Sequence, residues 1–191
     1  MSADRNLLFG MLVSGCGGSS DGAGSGGDGL LAACQEYAFS GAPDWVTLRV
    51  VNQGTASIWV EDGCRMPFGL SIDGEPKKPF TAFGELSCGG ARAGVLPCCD
   101  CFQTQTVVPP GDTFERDWAQ IHHQHADMPL SCVGEGATEG YDGCTQTLPV
   151  PDAKLVMTVQ VRRCLDDTCP SSETVSQPFV LGQDPIELMV P

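Results

Sequence analysis

From Val46 onward the chain repeats one pattern, an apolar side chain at every second position, interrupted by residues that reverse a backbone. Val46, Leu48 and Val50 alternate with Thr47 and Arg49; Phe68, Leu70 and Ile72 with Gly69, Ser71 and Asp73; Leu155, Met157, Val159 and Val161 with Thr158, Gln160 and Arg162. Successive side chains of an extended chain point to opposite faces, so each run predicts a strand with one face in a core and the other in water. Shorter runs at residues 57–61, 104–108, 113–118, 174–181 and 185–190 predict further strands. Between them stand Asn52-Gln53-Gly54, Asp62-Gly63, Asp73-Gly74 and Pro109-Pro110-Gly111-Asp112, which supply the positive or fixed φ of tight reversals. About eight strands with no helices of crossover length between them define an all-β fold, an antiparallel β-sandwich, and argue against a parallel α/β fold. Only residues 30–39 suggest a helix, and residues 82–102 and 119–148 read as long loops rich in Gly or Cys. Trp45, Trp59 and Trp118 are expected in the core or at its rim, with Trp59 facing solvent because it is out of phase with Ile58 and Val60.

The amino-terminal segment has a different character. Residues 7–13 (LLFGMLV) are an apolar run far short of the about 20 residues that a membrane span requires, but of the length of a secretory h-region. Small residues and a cysteine follow, and Val13-Ser14-Gly15-Cys16 resembles the lipobox of bacterial lipoproteins. That resemblance implies cleavage before Cys16, its lipidation and attachment to a membrane; Gly17 rather than Asp after it favours the outer membrane, on its periplasmic or surface face. Residues 17–29 hold seven Gly, three Ser, two Asp and one Ala, which cannot bury apolar area. A tether of this kind reaches about 20 Å. Within it, Gly18-Ser19-Ser20-Asp21-Gly22 imitates a nucleophile elbow and Gly22-Ala23-Gly24-Ser25-Gly26-Gly27 a dinucleotide loop, but neither lies on the strand-to-helix turn that such chemistry needs. The expected organisation is therefore a signal peptide at 1–15, a lipidated cysteine with linker at 16–29, and one sandwich domain at 30–191.

With Cys16 set aside, ten cysteines remain: Cys34, Cys64, Cys88, Cys98, Cys99, Cys101, Cys132, Cys144, Cys164 and Cys169. An even number in an exported chain predicts disulfides, whose connectivity sequence alone leaves open. The adjacent Cys98 and Cys99 are too close for an unstrained bond to each other and call for separate partners, and residues 88–101 read as a disulfide-stapled loop.

The formal net charge is −14, from 10 basic and 24 acidic side chains. Nucleic-acid binding is excluded on that ground, since phosphate neutralisation requires clustered Lys and Arg. The sharpest polar constellation is His122, His123 and His125. His123 and His125 share a face of an extended chain, which suits coordination of Cu²⁺, Zn²⁺ or Ni²⁺ with Asp127, or with thiolates of Cys98, Cys99 and Cys101 were those reduced. The simpler reading places the histidines on a solvated loop and the cysteines in disulfides. No local motif arranges nucleophile, base and oxyanion donors, so an enzyme is not expected, and neither is a cofactor.

Four short motifs, VxNxG…IxV…C at Val50 to Cys64, PPGxxFxxxW at Pro109 to Trp118, MPxxC at Met128 to Cys132 and LxMxVxV at Leu155 to Val161, resemble a group of cysteine-rich bacterial lipoproteins of undetermined role. More distantly they resemble the immunoglobulin-like domain of intracellular proteinase inhibitors. The resemblance implies an immunoglobulin-like sandwich and says little about activity. Three readings follow: a lipid-anchored, non-catalytic interaction or structural module of the cell envelope with an unidentified protein partner; a metal-binding envelope protein using His122, His123 and His125; and a proteinase-inhibitor-like domain.

Overall fold

Strand alternation becomes two facing sheets in a computed structural model that describes residues 32–39, 41–63, 66–81, 84–97, 103–163 and 172–191. In the first sheet β1 (Val46–Asn52) lies between β6 (Thr113–Trp118) and β11 (Ile186–Val190). Its burial alternates strictly: Val46, Leu48, Val50 and Asn52 face inward. Opposite them on β6 lie Trp118 and Phe114, and on β11 Ile186, Leu188 and Val190. The second sheet contains β2 (Ile58–Gly63), β3 (Phe68–Ile72), β4 (Glu75–Lys77), β5 (Gln103–Val108), β9 (Leu155–Arg162) and β10 (Glu173–Phe179). Its centre is β9, which runs antiparallel to β10 along its length and meets β3 and the start of β2. Inward side chains of both sheets, among them Leu48, Val50, Ile58, Val60, Met157, Val159, Ile186 and Leu188, merge into one core, which makes the pair a β-sandwich.

The pairing departs from the expected pattern in one place: β11 runs parallel to β1. Parallel neighbours need a long connection between them, and here almost the whole domain separates the two strands. Strand β4 also escapes sequence reading, because Glu75, Pro76 and Lys77 carry no apolar alternation. It forms because Asp73 and Gly74, both at positive φ (51° and 89°), close a two-residue hairpin that sets Glu75 opposite Ile72. Of the tryptophans, Trp118 is fully buried, donates from Nε1 to the Ile121 carbonyl at 2.9 Å and meets Phe179 edge-on. Trp45 is 63% exposed at the rim. Trp59 is half-buried rather than solvent-facing, because β2 has neighbours on both edges, with Val107 and Arg162 opposite it.

Both expected loops contain regular structure. Residues 119–148 include β7 (Ile121–Ala126), two 3₁₀ turns (Leu130–Cys132 and Glu135–Ala137) and most of β8 (Cys144–Pro149), which pairs antiparallel with β7. The polar run His-His-Gln-His hid β7, whose strand geometry comes from pairing with β8 rather than from an apolar face. Residues 82–102 include the helix α2 (Cys88–Ala93), capped by the Ser87 hydroxyl, which accepts from the Gly90 amide at 3.0 Å, and by Gly94 in the left-handed region at φ 68°. The helix expected over residues 30–39 is the single turn α1 (Ala32–Gln35).

These pieces build a small second core beside the sandwich, from Cys34, Cys88, Ala91, Met128, Cys132 and Cys144. Two disulfides close it. Cys34–Cys132 spans 98 residues and Cys88–Cys144 spans 56. Cys88 thus does not staple a loop over 88–101; its partner lies on β8, where helix and strand pack. Cys16, the linker, Cys64, Cys98, Cys99, Cys101, Cys164 and Cys169 lie outside the described residues. Among the described residues no helix is long and apolar enough to cross a membrane.

Candidate functional site

Strand β7 joins the two cores. The His123 amide donates to the Lys78 carbonyl at 2.8 Å, just past β4 of the sandwich, while across the hairpin the Thr145 amide donates to the Leu86 carbonyl at 2.7 Å, just before α2. The hairpin is therefore a bridge, and its histidines stand at the junction. Consecutive strand residues point to opposite faces, so His122 and His123 are directed away from each other. Both are buried, at 6% and 7% exposure. His123 Nδ1 lies 3.2 Å from the Thr147 hydroxyl, which leaves Nε2 as the ring nitrogen available to a ligand. His122 Nδ1 is buried without a hydrogen-bond partner. His125 is exposed instead, with Nε2 3.1 Å from Asp127 Oδ1, and its ring occupies the space a side chain at Gly143 would need.

The three histidines thus split between two buried environments and one exposed one. Among the described residues no group of three His, Cys, Asp or Glu side chains is placed to hold a metal ion. The spacing that suggested coordination, His123 and His125 on one face, is present, but packing turns the first inward and leaves the second with Asp127.

Burial holds the pKa of His122 below the usual imidazole value, and the nearby Lys77 lowers it further. His123 is lowered first by burial, then by His122 and Lys78, against an opposing pull from Glu85. Well above the unfolded-chain value of about 6.5 both rings are neutral in the folded and unfolded chain and add no pH dependence. Below it the unfolded chain takes up protons that the folded chain refuses, so stability falls as pH drops. The thermal midpoint is expected to decline between about pH 6.5 and 5, above the range where carboxylates titrate. Replacing His122 with Gln should reduce that slope and leave the share of His123, and an unchanged slope in this variant would assign the dependence elsewhere.

Beside His123 a groove of about 440 Å³ opens between the sandwich rim and β7. Trp45, Met66, Phe80 and Ile121 supply apolar walls, Trp118 and Ala119 are buried behind them, and His123 with Asp117 supplies polar atoms. A mainly apolar concavity with a few polar groups is the usual form of a ligand site, and its size falls in the usual range. Of these residues sequence reading singled out only the tryptophans and His123. The others come from three separate chain segments that strand pairing brings together, and no local motif marks them. The arrangement suits binding: a neutral imidazole offers one nitrogen to a ligand whose apolar part contacts Trp45 and Phe80.

Comparison with known protein families, with curated proteins and with solved structures finds no match to this chain.

Proposed function

We propose that this chain is an exported, lipid-anchored, non-catalytic module of the cell envelope that engages a partner through the groove between Trp45, Phe80 and His123. The observation that carries the reading is the pair of disulfides, Cys34–Cys132 and Cys88–Cys144, which hold the small second core and belong to an oxidising compartment. The lipobox-like Val13-Ser14-Gly15-Cys16 and the Gly/Ser-rich tether support attachment through Cys16, with the outer membrane favoured by Gly17. The two-sheet core agrees with an immunoglobulin-like frame. An apolar group of a protein partner fills the groove, oriented by His123 Nε2 and the Asp117 carboxylate.

Mass spectrometry and fractionation of the mature protein test this reading. The expected product begins at a diacylated or triacylated Cys16 and sediments with membranes, and Cys16→Ser releases it to the soluble fraction. An intact Met1 with an unmodified Cys16 contradicts the proposal.

A further inference from the structure

Four of the five arginines among the described residues hold carboxylates: Arg49 pairs with Glu115 and Glu187, Arg116 with Asp62, Arg162 with Glu61 and Arg163 with Glu173. With 24 acidic against 10 basic side chains, acidic partners are abundant. Arg92 is the exception. It stands in the last turn of α2, makes no ion pair among the described residues, and has its Nε buried without an acceptor. Its side chain helps line a pocket of about 330 Å³ between α2, β8 and residues 37–39, apart from the groove at Trp45. No acidic side chain is among the described residues that line it.

The rest of the lining explains what such a pocket selects. The Thr147 hydroxyl is engaged by His123, the Thr145 hydroxyl donates to Glu85 at 3.2 Å, and the Tyr37 hydroxyl reaches the Asp127 carbonyl at 3.4 Å. The Ser87 oxygen accepts from the Gly90 amide and keeps its own hydrogen to give. The donors that remain are the guanidinium and Ser87, while Phe39, 39% exposed, and the Tyr37 ring are apolar surface. A guanidinium is a planar fork of donors that matches a carboxylate in a two-bond geometry. An anion against the guanidinium supplies the charge-assisted partner that no acidic side chain among the described residues gives it. The net charge of −14 opposes each further negative charge on a ligand, which favours a single carboxylate over a phosphate.

We propose that this pocket binds a small apolar monocarboxylate, with its carboxylate on Arg92 and Ser87 and its hydrocarbon or aromatic body against Tyr37 and Phe39. Calorimetric titration of the full, oxidised chain with benzoate, acetate and inorganic phosphate tests it. Benzoate is expected to bind one to one, more tightly than either acetate or phosphate. Arg92→Gln should weaken benzoate binding by about tenfold or more, the loss of a charge-assisted pair. Arg92→Lys keeps the charge without the fork and should fall between. Phe39→Ala should weaken benzoate while leaving acetate unchanged, a split that loss of fold does not produce. Thermal midpoints of all variants within a few degrees of the parent establish that they are folded; should Arg92→Gln not be, the Arg92→Lys and Phe39→Ala pair decides. Phosphate binding tighter than benzoate, benzoate affinity indifferent to Arg92, or no saturable binding of any probe would overturn the assignment.

Discussion

Joint replacement of Cys88 and Cys144 by alanine is expected to cost about 4 kcal/mol, and to cost it locally. Removing this cross-link restores the freedom of a loop whose ends lie 56 residues apart in sequence. Both cysteines are buried, and the second core contains little else: Ala91, Met128 and the other disulfide are its remaining fully buried members. A core that small does not offset the lost constraint by packing alone. The sandwich holds a separate apolar cluster to which neither cysteine belongs. Hydrogen exchange should therefore show amides of α2, β7 and β8 losing protection while β1, β9 and β11 keep theirs. Uniform loss over the molecule would mean that the two cores unfold as one, and unchanged exchange would mean that the disulfide is structurally idle. The groove and the Arg92 pocket both border the destabilised part, so ligand binding should weaken in the same variant.

The second large effect is expected at Asn52, a fully buried polar residue at the end of β1. Its Nδ2 donates to the Ala56 carbonyl at 2.9 Å and the Val108 carbonyl at 2.8 Å, and its Oδ1 accepts from the Gly54 amide at 3.0 Å. One side chain thus ties the turn after β1 to the end of β5 in the opposite sheet. Asn52→Ala removes all three bonds and leaves two carbonyls and an amide short of partners, for a loss of about 3 kcal/mol. Asn52→Asp has nearly the same shape but turns a carboxylate oxygen toward two carbonyl oxygens. At pH 7 it should cost more than the alanine variant, about 4 kcal/mol or more, because it leaves an uncompensated charge in the core. The pH dependence carries the sign. Burial raises the folded-state pKa of the introduced carboxyl above its unfolded value, so the penalty is largest at neutral pH. It diminishes as pH falls through the raised value and the group becomes a neutral donor. Chemical denaturation at pH 7 and pH 4.5, each against the parent protein, measures this. A difference independent of pH would remove charge burial as the cause.

How much of this was legible in the sequence varies with the physical signal. Strands facing a single apolar core declare themselves: Leu48 and Val50, Leu70 and Ile72, and Met157 to Val161 alternate so regularly that their faces could be assigned before the fold was seen. Asn52 stood out in a motif, yet its role as a tie between sheets depends on Val108, 56 residues away, which no local pattern indicates. The second core was illegible for a different reason. Its strands are polar, its helix holds two glycines, and its stability comes from disulfide connectivity, which pairing arithmetic leaves open. The histidines show the same limit. Their shared presence on one strand followed from spacing, but whether each ring faces protein or water depended on Lys78, Thr147 and Asp127 arriving from other parts of the chain. The Arg92 pocket carries no local signal, because an arginine in an acidic chain usually finds a carboxylate, and only the three-dimensional arrangement shows that this one makes no ion pair among the described residues.

Everything proposed for this chain presupposes that its second core is held covalently, outside the reducing cytosol. Alkylation of free thiols followed by peptide mapping of the non-reduced protein, isolated from the cells that make it, measures this directly. The account predicts that Cys34 is recovered linked to Cys132 and Cys88 to Cys144, with none of the four alkylated. Recovery of these four cysteines as alkylated thiols in folded protein would contradict it.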